Sequence, residues 1–172
     1  MSDQPVNVLF LCTGNSARSI LAEALLQHEG AGRFRAFSAG SQPKGEPHPM
    51  ALQVLRDHGL PHEGFRSKSW SEFGAPGAPV IDLIITVCDS AAGESCPVWP
   101  GKPITAHWGI EDPAAVEGEG QREAFETALL YLKRRIDLLL ALPISAIDAM
   151  VLRDHLKQIG AEEGATQKAV QQ

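Results

Sequence analysis

The stretch Val6-Asn7-Val8-Leu9-Phe10-Leu11-Cys12-Thr13-Gly14-Asn15-Ser16-Ala17-Arg18-Ser19 decides how this 172-residue chain folds. Residues 6–11 are an apolar-rich run of the kind that a buried parallel strand requires. The run ends on Cys12, and five small or polar residues separate that cysteine from Arg18. Gly14 lets the backbone turn with its amides inward, and a helix is expected to begin near Ser16 or Ala17. A tetrahedral anion in such a loop meets several N–H donors, a helix N-terminus and the planar fork of Arg18. The same positive field favours a Cys12 thiolate, hence a nucleophile at neutral pH.

Working outward, Ile20, Leu21, Ala24, Leu25 and Leu26 form one stripe of the helix that follows. Residues 33–38 read as a second strand, and the Pro- and Gly-rich stretch 42–49 as loop. A second helix is expected over 49–58, stopped by Gly59, and a short helical turn over 70–73. Residues 81–87 are the strongest strand signal after the first, and they also run into a cysteine, Cys88. A short strand over 103–107 and a long amphipathic helix over 121–142, closed by Pro143, follow. Strands alternating with helices imply an α/β fold: a four-stranded parallel sheet in the order 2-1-3-4, flanked by helices on both faces. Residues 1–142 would form this domain. Residues 143–172 would add an extra C-terminal helix over 144–159 and, from Gly160, a frayed tail.

Composition narrows the function. The net charge is −6 with no offsetting basic run, so a nucleic-acid surface is not expected. The N-terminal residues lack the pattern of a secretion signal, and no apolar run approaches the roughly 18 residues that span a bilayer, so a cytoplasmic, membrane-free protein is expected. Three cysteines are too few for a disulfide framework in a chain of this length. Their chemistry is the better reason for their presence.

In the 2-1-3-4 order, Cys12 and Cys88 end neighbouring strands about 4.8 Å apart, close to the Cα spacing that a disulfide accepts. Seven residues separate Cys88 from Cys96, small ones and glycine among them, and were expected to form a mobile loop. That arrangement suits sequential exchange, with Cys88 attacking Cys12 and Cys96 then attacking Cys88. A zinc site would need Cys12, Cys88, Cys96 and His107 to converge without any CxxC pair, so no metal is expected. Asp112, stiffened by Pro113, is placed to hold a carboxyl over the crevice and protonate a departing oxygen; as a bland alternative it caps the next turn.

The loop from Cys12 to Ser19 resembles that of the low-molecular-weight protein tyrosine phosphatases. Cys88 and Cys96, with His107-Trp108-Gly109 and Asp112-Pro113, look like the arsenate reductase branch of that superfamily, over roughly residues 6 to 142. The resemblance implies that Cys12 attacks arsenate while Arg18 and the amides from Thr13, Gly14, Asn15, Ser16 and Ala17 hold its oxygens. Asp112 would protonate the leaving hydroxide, Cys88 would resolve the adduct, and Cys96 would pass the disulfide outward. It further implies that Asn15 orders the loop, that Ser16 and Ser19 hydrogen-bond the Cys12 thiolate, and that phosphate or sulfate compete with arsenate. No bound cofactor is implied; an external thiol reductant of the thioredoxin or glutaredoxin/glutathione type is.

Ala114 and Ala115 follow the Asp-Pro pair where phosphatases typically carry aromatic residues, which weakens the alternative of a phosphatase acting on a small or peptidyl ester. A thiol-based oxyanion sensor is the other alternative, and it has no need of Asp112. Some reductases of this fold use a potassium ion near the positions of Asn15, Glu23 and Ser38, with an acidic residue after a later serine. Here Lys68 follows Ser67, so its ammonium is expected to stand in for the cation.

Overall fold

Strand β1 (Val6–Leu11) is buried on both sides, as its unbroken apolar run requires. Val8 and Phe10 enter the main core, whereas Leu9 and Leu11 pack on the opposite face. The computed structural model describes residues 4–93 and 101–172. Helix α1 (Arg18–Glu29), strand β2 (Phe34–Ala39), helix α2 (Pro49–Asp57) and strand β3 (Leu83–Thr86) follow in turn. Then come α3 (Asp89–Gly93), β4 (Ile104–His107), α4 (Gln121–Leu140), α5 (Ala149–Gly160) and α6 (Gln167–Val170). The sheet is parallel throughout, with strand order β2-β1-β3-β4, as expected.

Buried residues of α1, α2, α4 and α5 join Val8, Phe10, Leu83, Ile85 and Trp108 in the main core. Over the other face lies the 3-10 turn Trp70–Gly74, which seats Phe73 against Leu9, Leu11 and Ile84. Register positions the chemistry: Leu11 pairs with Thr86, and Thr86 with His107, so the strands reach one rim together. Functional loops of such sheets lie beyond the carboxyl ends of the strands. No helix among the described residues is long and apolar enough to cross a membrane.

Several local expectations need correction. The residues just after Cys88 are helical rather than loop, forming α3; Cys96 and Trp99 lie outside the described residues. The C-terminal helix starts later than 144: Ile144–Ala146 is a separate 3-10 turn, and Asp148 caps α5 by accepting the Val151 N–H at 2.9 Å. Trp108, just after β4, is fully buried, and its indole N–H donates to Leu156 O at 2.9 Å.

The largest correction concerns the residues after Gly160, expected to fray for want of apolar content. They are tied down by polar groups instead. Arg135, fully buried in α4, donates to Glu162 O at 3.0 Å and Glu163 O at 3.1 Å. Thr166 N–H donates to Gly109 O at 3.0 Å, and Ala169 is fully buried. Gly164 turns the chain at φ 89°, with the Tyr131 ring so close that a Cβ there would lie 2.3 Å from it. Replacing Gly164 with Ala is therefore expected to destabilise the protein by about 1–3 kcal/mol. Urea unfolding measures this, and a frayed tail would show no change.

Candidate active site

The loop between β1 and α1 owes its shape to where its carbonyls go. Thr13 O accepts Gln42 N–H (2.9 Å), Gly14 O accepts Lys44 N–H and the Ser67 hydroxyl (3.0 Å each), and Ser16 O accepts His48 N–H (2.8 Å). In a planar trans peptide the next N–H points the opposite way. The amides of Gly14, Asn15 and Ala17 thus face away from those anchors, toward the hollow of the loop. Gly40 makes the anchoring possible, since a Cβ there would lie 2.4 Å from Thr13 O and 2.5 Å from Cys12 O.

Asn15 adopts φ 43°, a left-handed conformation that asparagine tolerates better than most residues. Its buried side chain donates to Ser19 Oγ and Ser38 Oγ (2.9 Å each) and accepts Lys68 N–H at 2.9 Å. The loop is locked from below by these bonds. Above, α1 starts at Arg18 with Ala17 as its N-cap, without a side-chain cap or an acidic residue in the first turn. An uncapped helix N-terminus is where an anion is most favourably held.

Cys12, Gly14, Arg18, Lys44, Cys88 and Asp112 are among the residues lining a cleft of about 300 Å³. None of the described residues lining it is aromatic. Arg18 is held by Ile110 O, which accepts from Nη1 at 2.8 Å, and its Nη2 lies 3.8 Å from Asp112 Oδ2. Its buried Nε has no hydrogen-bond partner among the described residues, and it is a donor suited to an oxyanion. Asp112 does two things at once. Its Oδ1 caps the Pro113–Ala115 turn through Ala114 N–H (3.0 Å), while its other oxygen faces Arg18. The bland and the chemical readings of Asp112 are therefore compatible.

Cys12 and Cys88 are both reduced, buried and hydrogen-bonded to one another. Cys88 Sγ also accepts N–H bonds from Thr13 (3.3 Å) and Ala91 (3.4 Å). The bond from Cys12, then those from Ala91 and Thr13, hold the Cys88 thiol down to about 5 against the opposing effect of burial. The hydrogen bond to Cys88 and burial push Cys12 up, opposed by Arg18 and Gly14 N–H. The neighbouring Cys88 thus works against the Cys12 thiolate that the loop by itself would favour. A loop read in isolation could not reveal this, because the decisive neighbour is 76 residues away.

Glu23 lies beneath the cradle, accepting a short hydrogen bond from Ser38 Oγ. Burial raises its pKa, and the Lys68 charge and Ser38 oppose that rise. Lys68 Nζ donates to Arg66 O at 3.1 Å and acts on Glu23 through space. The Lys68 charge thus acts on Glu23 beneath the cradle, beside Asn15 and Ser38.

The profile of the low molecular weight phosphotyrosine protein phosphatase family matches residues 7–153. The chain belongs to this family. The arsenate reductase of Bacillus licheniformis is 36% identical over 120 residues, which are 69% of this chain and 82% of that protein. The glutaredoxin arsenate reductase of Synechocystis sp. is 30% identical over 135 residues, covering 78% of this chain and 95% of the relative. A solved arsenate reductase in its phosphate-binding state superposes with a TM-score of 0.66 at 29% identity, over 79% of this chain and 97% of that one.

Within this family's fold the cleft gathers Cys12, Thr13, Gly14, Ser16, Ala17, Arg18, Asp112 and Cys88, whereas Asn15 and Ser19 are fully buried, bonded to one another and outside its lining. Lys44, Gln42 and Ser90 also line it and were not anticipated. Lys44 lies so close over Gly14 that a Cβ there would be 3.1 Å from its Cε. No pattern in the 42–49 loop marks that contact, which arises from the anchoring of the cradle carbonyls.

Cys88→Ser removes the largest influence raising Cys12 and leaves Arg18 and Gly14 to lower it. The Cys12 pKa is therefore expected to fall. In thiolate absorbance at 240 nm, the wild type should show one step near pH 5 and a second well above neutrality, and the variant a step below that second one.

Proposed function

We propose that this protein reduces arsenate to arsenite through a thiol relay, with Cys12 as nucleophile, Cys88 as resolving thiol and Cys96 as disulfide shuttle. The single observation carrying this reading is the hydrogen-bonded pair of reduced cysteines inside an anion cradle. Ester hydrolysis returns its nucleophile through water and needs no second thiol. The kinship with arsenate reductases supports the same choice.

Arsenate would occupy the hollow of the loop with its oxygens on the amides of Gly14, Asn15, Ser16, Ala17 and Arg18 and on the Arg18 guanidinium, while the Thr13 N–H stays with Cys88 Sγ. Cys12 Sγ attacks arsenic and its proton passes to the Cys88 thiolate, while Asp112 protonates the hydroxide that leaves as water. Ser16 and Ser19 support the Cys12 thiolate as it forms. Cys88 gives its proton to an arsenic-bound oxygen and attacks Cys12 Sγ; the S–As bond breaks, its electron pair stays on arsenic, and As(V) becomes As(III). Two thiols and one arsenate yield one disulfide, one arsenite and one water. Cys96, outside the described residues, then exchanges into Cys88, and a thioredoxin or glutaredoxin/glutathione donor restores the thiols. No bound cofactor takes part, and the Lys68 ammonium serves in place of a monovalent cation by compensating Glu23.

Incubating reduced protein with arsenate should lower its intact mass by two hydrogens and release one arsenite per chain. Steady hydrolysis of p-nitrophenyl phosphate without oxidation would identify a phosphatase instead. Cys88→Ser should form no Cys12 disulfide, and one formed with Cys96 in that variant would overturn the order of attack. Asp112→Asn should slow the first step by about 10²–10⁴-fold, the usual effect of losing a general acid. Potassium should leave wild-type stability no higher than sodium does, while Lys68→Ala should make the two salts differ.

A further inference from the structure

Trp108 and the C-terminal segment together enclose a second constellation, next to the cradle but outside it. Asp89 is the first residue of α3 and follows Cys88 directly. Its Oδ1 accepts from His107 Nε2 (2.7 Å) and from the Thr166 hydroxyl (2.7 Å), and its backbone carbonyl accepts from Lys168 Nζ (3.2 Å). The Thr86 hydroxyl meets His107 Nδ1 at 2.7 Å, which leaves the Nε2–H to Asp89. Gly109 makes room for the pair, since a Cβ there would lie 2.5 Å from both Asp89 Oδ1 and His107 Nε2.

Gln172 completes the arrangement. Its carboxamide accepts His107 N–H at 2.8 Å and donates to His107 O, so one side chain satisfies both backbone groups on the open edge of β4. The tail thus grips both Asp89 and His107.

α3 matters because Cys88 acts as its N-cap, its sulfur accepting the Ala91 N–H at 3.4 Å. Whether that N–H points at sulfur depends on the pitch of the first turn of α3, which begins at the residue after Cys88. Its first residue is held by the tail.

We propose that Thr166, Lys168 and Gln172 are positioning residues for the resolving thiol: they fix Asp89 and His107, and so keep the first turn of α3 aimed at Cys88 Sγ. The inference rests on Cys88 being the resolving thiol of the proposed relay. The charged and titratable groups around this turn are Cys12 and Arg18 from the cradle, Asp89 on α3, His107 on β4 and Lys168 on the tail.

The test compares full-length wild type with Thr166→Val, Thr166→Ser, Lys168→Met and Gln172→Ala. Thiolate absorbance is titrated, and formation of the Cys12–Cys88 disulfide is followed by peptide mapping at pH 6, once with arsenate and once with the oxidant diamide. Thr166→Val and Gln172→Ala should raise the low thiol pKa and slow disulfide formation about tenfold, as expected for one unit of lost ionisation. Thr166→Ser, which keeps the hydroxyl, should restore both. Inorganic phosphate binding, read by calorimetry, should change less than twofold, because the cradle is untouched. Lys168→Met reports if the other variants fail to fold, with a smaller shift in the same direction. Unchanged titration and unchanged diamide rates in the folded variants would overturn the proposal. Failure of wild type to release arsenite from arsenate would instead count against the relay, while the diamide and titration results would still decide the role of the tail.

Discussion

Parallel pairing of β1 with β3 is the constraint on which the rest of the structure depends. Because Leu11 stands opposite Thr86, two cysteines far apart in sequence end on one rim, and Thr13 N–H reaches Cys88 sulfur at 3.3 Å. A slip of one residue would turn Cys88 to the other face, as the side-chain period of a strand is two. The apolar residues prevent it. Ile85 and Val87 enter the main core and Ile84 the second cluster, so the burial that stabilises the sheet also fixes the distance between the sulfurs.

Burial and charge then act against each other at the rim. Desolvation disfavours any thiolate there, and the donors of two loops offset it. They do so unequally: Cys88 collects two N–H bonds and a neighbouring S–H, whereas Cys12 faces Arg18 but donates toward its partner. The rim thus favours charge on Cys88 over charge on Cys12.

Much of this was legible in the residues, and what was not has a physical reason. The strand order followed from the alternation of apolar runs with amphipathic stripes. The cradle followed from residue types whose chemistry is local: Cys12, Gly14, Arg18. Where long-range contacts decide, local reading failed. The ionisation of Cys12 depends on Cys88, the placing of Lys44 on where the loop carbonyls are anchored, and the order of the tail on Arg135. That arginine sits on the inner side of α4, where a charged residue would ordinarily read as solvated, and it stays buried because three backbone carbonyls receive its guanidinium. A segment poor in apolar residues looks free to fray unless such buried donors are known.

The cradle has one more consequence. Its donors are backbone amides, a helix end and a guanidinium, groups that respond to the shape and charge of a tetrahedral oxyanion and not to the element at its centre. Under the proposed relay phosphate, being nearly the same size, would enter the loop almost as readily as arsenate. Discrimination by such a site cannot lie in recognition. It lies in reducibility: a sulfur bound to arsenic can be attacked with the electron pair left on the metalloid, whereas phosphorus does not accept that pair. Phosphate would then be a guest that departs unchanged, and selectivity would be settled after binding.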